Sequence, residues 1–223
     1  MQLFGKSLGI FAVAATALVT GAAIVSATAT STPASGGSGI SADTAVVGGS
    51  NTATQLGPIS IIEGAAADIG NNPPGNSGTL IFQLPSGFQW DTAATPSAAT
   101  SGAGCTGLAF GTVAFSGSPP NQVQVPVSSR STAACTATFG GATPFKVKPV
   151  NANPLASGRI SLANESAAVV GLQRGPDGTN LGDLSVVAGA ASVAASTVTA
   201  SPSAVPADGA TLATITVTLK DAG

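Results

Sequence analysis

From Gly78 the chain reads GTLIFQLPSGFQWD, and Leu80, Phe82 and Leu84 alternate with Thr79, Ile81 and Gln83. A period of two in apolar positions marks a β-strand with one face turned to a core. Pro85-Ser86-Gly87 closes that run with turn residues, and Phe88 and Trp90 resume the same period beyond it. Comparable runs, bounded by Gly, Pro and Asn, occur at 59–62, 108–115, 122–127, 133–139, 144–150, 159–163, 167–172 and 183–188, with a weaker one around Ala45-Val46-Val47. The stretch Asn71-Asn72-Pro73-Pro74-Gly75 reads as a turn. No helical periodicity is visible after residue 30. Roughly seven to nine short strands separated by turn residues predict an all-β chain, an Ig-like or jelly-roll-like β-sandwich. Its span is expected to be 42–191, with Ile61, Leu80, Phe82, Leu84, Val125, Val147, Ile160 and Val187 inside. Phe88 and Trp90 are expected as core aromatics that plug one end rather than as a platform for a ligand.

The last stretch, 196–223, alternates again: Thr214, Thr216 and Thr218 against Ile215, Val217 and Leu219. Pro202, Pro206 and Asp208-Gly209 punctuate the segment before it. This stretch, STVTASPSAVPADGATLATITVTLKDAG, resembles the opening of a bacterial Ig-like domain of the invasin/intimin type. There a serine- and proline-rich first strand, a PADG turn and a TxTVTLKDxxG second strand follow one another. The resemblance implies a second, truncated Ig-like domain at 192–223. One or two strands alone are at best marginally stable, so Ile215, Val217 and Leu219 are expected on an open, exposed edge. Three further segments, IIEGAAADI, LIFQLPSGFQW and PFKVKPVNANPLASGRISL, are similar in order and wording to a sandwich module of large secreted bacterial surface proteins. That likeness implies a structural or adhesive module and brings no catalytic residues.

At the other end, a short segment carrying Lys6 precedes an uncharged apolar run over 7–25. Val25-Ser26-Ala27 and Ala27-Thr28-Ala29 are small-residue cleavage patterns. Residues 1–29 are therefore expected to be a signal peptide, with a mature N-terminus at Thr28 or Thr30. The competing reading is a retained anchor, since the run is about as long as a spanning helix. Its many Ala, Gly and Thr residues, and the lack of a positive flank after it, favour cleavage. Residues 30–41, without periodicity, are expected to be a flexible linker. The expected localisation is secreted or cell-surface, with no membrane span once the leader is removed.

Composition sharpens this picture. Charged residues make up 7% of the chain, against a usual ~25%, and Ser, Thr, Ala, Gly and Asn take their place. That suits an exported β-protein whose outer faces carry hydroxyls. The formal charge is −2 from seven cations and nine anions; without Lys6 it is six against nine, or −3. No basic surface is available for nucleic acid. The chain has no His and no Tyr, which removes the usual general base and the commonest metal ligand. No G-x-S-x-G elbow and no phosphate-cradling glycine loop occur. Glu63 is the one carboxylate beside an apolar run, and a single carboxylate does not make an acid/base pair. No catalytic residue and no cofactor are expected.

Cys105 and Cys135, 30 positions apart in an exported chain, are expected to form a disulfide. In the chain-entropy account such a bridge stabilises by about 3 kcal/mol. Asp177, Asn180 and Asp183 share a Gly-rich loop, but calcium takes about six to eight oxygens; a plain turn is expected there. Asn164-Glu165-Ser166 fits a glycosylation sequon. The expected function is a non-enzymatic secreted or cell-surface protein, adhesin-like or a cell-envelope component, whose partner is an unidentified surface protein or glycan. The alternatives are a carbohydrate-binding module, which an exposed coplanar aromatic pair would favour, and the non-catalytic N-terminal part of a larger secreted enzyme.

Overall fold

A computed structural model describes residues 29–70 and 78–221. The expected leader up to Thr28, the expected turn at Asn71 to Gly75, and Ala222-Gly223 lie outside the described residues. The strands in chain order are β1 (Thr30–Thr32), β2 (Ile40–Ser41), β3 (Thr54–Gln55), β4 (Ile59–Ile62), β5 (Gly78–Gln83), β6 (Phe88–Trp90), β7 (Ala98–Ser101), β8 (Ala109–Phe110) and β9 (Ala114–Ser116). They continue with β10 (Gln122–Ser129), β11 (Thr136–Phe139), β12 (Lys146–Pro149), β13 (Ser157–Arg159), β14 (Ser161–Leu162), β15 (Asp183–Val187), β16 (Thr197–Ser201) and β17 (Thr214–Thr218). Helical structure among the described residues is confined to two single 3-10 turns, Ala42–Thr44 and Ala103–Cys105. No helix among them is long and apolar enough to cross a membrane.

The chain is all-β and its core is that of a sandwich. One sheet runs β1-β4-β11-β7; a second runs β14-β5-β10-β8, with β9 also on β10. The alternation predicted at 78–84 places Leu80 and Phe82 against Val125 and Val123 of β10 in antiparallel register. On the facing sheet Ile59 and Ile61 pair with Phe139 and Ala137. All of these are essentially without solvent contact. The two layers meet through aromatics: Phe82 lies 5.0 Å from Phe139, and Phe110 lies 5.3 Å from Phe139. Two three-stranded sheets, β3-β12-β6 and β13-β15-β2, extend this core. Trp90 and Phe145 stack at 5.1 Å, and Phe88 and Trp90 are buried as the sequence predicts. Aromatic pairs at such separations add to the area they bury.

Several elements differ from expectation, each for a local reason. The supposed flexible linker at 30–41 is built into the sandwich. β1 pairs with β4, β2 pairs in parallel with β15, and Ala29, Ala34 and Ile40 are buried. Its strands carry no apolar period because they gain mainly backbone hydrogen bonds along sheet edges. The sandwich thus begins before residue 42. Val46 and Val47 form no strand: they follow a 3-10 turn and bond to Pro149 and Val150 carbonyls. Residues 108–115 divide into β8 and β9, because Gly111 turns across Pro126 of β10. The run at 159–163 divides at Ile160, where the chain leaves the sheet of β15 for that of β5. Residues 167–172 are not a strand; they cross β5 and contact it through Ala167 N–H to Thr79 O. Val187, expected inside, is 45% exposed, while Leu184 and Val186 face in. Two adjacent valines leave the register unspecified, and a one-residue slip reverses every side chain.

At the C-terminal end β16 and β17 form an antiparallel two-stranded ribbon, with Thr197 opposite Thr218 and Ser201 opposite Thr214. Every residue of both strands is exposed. Ile215, Val217 and Leu219 stand 67%, 58% and 71% open to solvent, as the sequence predicts. The ribbon's base is held where Asp221 accepts a hydrogen bond from Gly189 N–H and Asp43 accepts one from Ala190 N–H.

Candidate functional site

Cys105 and Cys135 are joined, with Cα atoms 5.0 Å apart. The bridge ties the 3-10 turn after β7 to the start of β11. Gly104 is required there, since a Cβ would collide with the backbone of Ala133 and Ala134. Cys135 is buried, and the bond serves the fold.

The carboxylates divide into buried and exposed sets. Glu63 and Asp68 are both buried, in the turn that follows β4. Glu63 Oε1 accepts from Ile69 N–H at 2.8 Å, and Asp68 Oδ2 accepts from Gly64 and Ala65 N–H at 2.9 Å each. Ser131 Oγ accepts from Ala67 N–H in the same turn. These side chains substitute for strand ladder bonds where the backbone reverses. Glu63 Oε2 has no hydrogen-bond partner among the described residues. The sequence singled out Glu63 alone; Asp68 is five positions on and acts as its counterpart in the same loop. In the loop weighed for calcium, Asn180 donates to Asp183 Oδ1 at 3.0 Å and accepts from Gly182 N–H at 2.9 Å, so its amide is spent on the turn. Asp177 faces elsewhere, into the cleft described below. Among the described residues no group of three or more His, Cys, Asp or Glu is placed to hold a metal.

The most organised polar surface lies on the outer face of the sheet containing β5. Cross-strand register sets Ser161, Gln83, Gln122 and Ser116 in one row over four adjacent strands. Gln122 Nε2 donates to Gln83 Oε1 at 2.7 Å and to Glu165 Oε1 at 2.9 Å. Ser116 Oγ donates to Gln122 Oε1 at 2.9 Å and accepts from Gln124 Nε2 at 3.0 Å. At its β14 end this row opens into a cleft of about 580 Å³. Gln83, Ser86, Arg159, Asn164, Glu165 and Asp177 line the cleft together with Gly158, Gly175 and Pro176. Arg159 makes no ion pair; among the described residues the one such pair joins Lys148 and Asp91 at 2.9 Å. The sequence singled out Asn164 and Glu165 only as part of a sequon and Asp177 only in the loop weighed for calcium, and it brought none of them together with Gln83 or Arg159. The Gln-x-Gln spacing of β10 is visible, but its alignment with Gln83 comes only from pairing across 39 positions.

Ser166 of the sequon is buried, and its hydroxyl accepts from Ile81 N–H, whereas Asn164 is exposed at the cleft rim. A coplanar exposed aromatic pair is not found among the described residues: Phe82, Phe88, Trp90, Phe139 and Phe145 are buried, and Phe110 and Phe115 pack partly against the core. Comparison of the chain with known protein families, with characterised proteins and with solved structures finds no match.

Proposed function

We propose that the protein is a non-enzymatic, exported surface protein in which a disulfide-clamped β-sandwich carries the first strands of an Ig-like module. The observation that supports this best is the β16–β17 ribbon. Its ladder is complete, yet its apolar residues Val198, Ile215 and Val217 stand 70%, 67% and 58% open to solvent among the described residues. An apolar face this open on a two-stranded unit is stable only when further strands cover it. The disulfide, the apolar leader and the hydroxyl-rich, charge-poor surface accord with export. Such a chain works by adhesion or as a cell-envelope component, with a surface protein or glycan as partner.

Amide exchange tests the reading. In the 223-residue chain the amides of 197–201 and 214–218 should exchange far faster than those of β5 and β10. In a chain lengthened past Gly223 by about 70 residues, toward the ~100 of an Ig-like domain, they should become protected. Slow exchange in the shorter chain would refute the reading, as would a longer chain in which these amides stay fast.

A further inference from the structure

We infer that the cleft beside the Gln83–Gln122 row is a binding site for a neutral, hydroxyl-rich saccharide. Two of the cleft's polar side chains, Gln83 and Glu165, are fixed before any ligand arrives. Gln83 Nε2 is anchored on Leu84 O at 3.2 Å, while its Oε1 holds Gln122, and Gln122 in turn holds Glu165. A chain of amides oriented in this way binds without the cost of ordering long side chains. The cleft also offers what vicinal hydroxyls require: planar acceptors in Glu165 and Asp177, a mixed donor and acceptor in Asn164, and the five-donor guanidinium of Arg159, which has no ionic partner among the described residues. Pro85 and Pro176 supply small apolar surfaces for the C–H faces of a sugar ring.

A peptide ligand is disfavoured by the topology. β5 is paired on both sides, by β10 and β14, so it leaves no open edge for an added strand. No exposed aromatic or large apolar pocket lines the cleft to anchor a side chain. The inference is independent of the Ig-like reading of the ribbon, because every residue it uses lies on the sandwich.

The test is a 1H–15N NMR titration of the full chain with cellotetraose, maltotetraose and triacetylchitotriose in turn. Each is taken to about 10 mM, ten times a millimolar Kd. At least one should shift the side-chain amides of Gln83, Gln122 and Asn164 and the backbone amides of Gly158 and Gly175. Arg159→Ala and Asn164→Ala, both at exposed positions, should weaken that binding about ten-fold while leaving the melting temperature unchanged. The proposal is overturned if none of the three sugars shifts these signals, if the shifts survive both substitutions, or if an extended peptide moves them and the sugars do not. Failure here leaves the exchange behaviour of the ribbon untouched, so the two readings fall separately.

Discussion

The pair β5–β10 and the pair β16–β17 are both antiparallel, both alternate with a period of two, and both carry hydroxyl or amide groups on one face. In the first, Leu80, Phe82, Val123 and Val125 are sealed from water; in the second, Val198, Ile215 and Val217 are open to it. The difference lies outside the strands. β5 and β10 face Ile59, Ile61, Ala137 and Phe139 of a second sheet, whereas the ribbon has no opposing layer among the described residues. Alternation encodes which side of a strand seeks burial, but a second sheet has to be present to supply it.

The largest expected contrast comes from removing one large side chain in each region. Phe82→Ala takes out the ring that meets both Phe139 and Phe145 and should cost about 3–5 kcal/mol. Val217→Ala should change stability by less than about 0.5 kcal/mol, as at other exposed positions. Urea unfolding of both variants measures the gap, and equal losses would mean that the ribbon is covered in solution. Within the sandwich, the register of β15 offers a finer comparison. Val186→Asp would bury an unpaired charge and should cost about 3 kcal/mol or more. Val187→Asp, one residue along, should be nearly neutral; thermal melting of the two variants checks which valine faces in.

Replacing Cys105 and Cys135 by Ser and Ala should lower stability by about 3 kcal/mol, read by denaturant unfolding with and without reductant. The loss should leave the ribbon's exchange rates as they were. The smallest effect belongs to the loop of the ribbon itself. The Thr211 hydroxyl, with Thr211 and Ala210 N–H, hydrogen-bonds the Asp208 carboxylate and lowers its pKa from the ordinary 3.8 to about 2. Because the folded loop prefers the charged form, its stabilising contribution is present above about 3.8 and is lost as the pH falls through about 2. A 13C titration of the Asp208 carboxyl should show the low midpoint, and Thr211→Val should raise it toward the ordinary value.

Much of the fold is legible in the residues alone. Ile61, Leu80, Phe82, Leu84, Val125, Val147 and Ile160 are buried as their alternation predicts, Phe88 and Trp90 close the core, and Cys105 meets Cys135. These are strong local signals: a period of two, large apolar side chains, and two thiols without other partners. The elements that escape it are those with little side-chain signal. β1 and β7 are short runs of Thr, Ser and Ala at sheet edges, held by backbone bonds to β4 and β11 that any sequence can make. The cleft escapes it for a different reason. Asn164-Glu165 reads as part of a sequon and Asp177 as part of a turn, Gln83 and Arg159 are ordinary polar residues of strands, and nothing in their spacing places the five around one cleft.

The sequence by itself determined the all-β class, the inward faces of the central strands, the disulfide, and the two-faced character of the ribbon. Each follows from properties of adjacent residues: side-chain period, turn chemistry and thiol count. Tertiary structure alone decided that Thr30–Thr32 joins the sandwich, that Val186 rather than Val187 faces in, and that Gln83 and Gln122 share a row opening on the cleft. Those outcomes depend on which distant strand comes to lie alongside, with pairing energies carried by backbone groups that every residue shares.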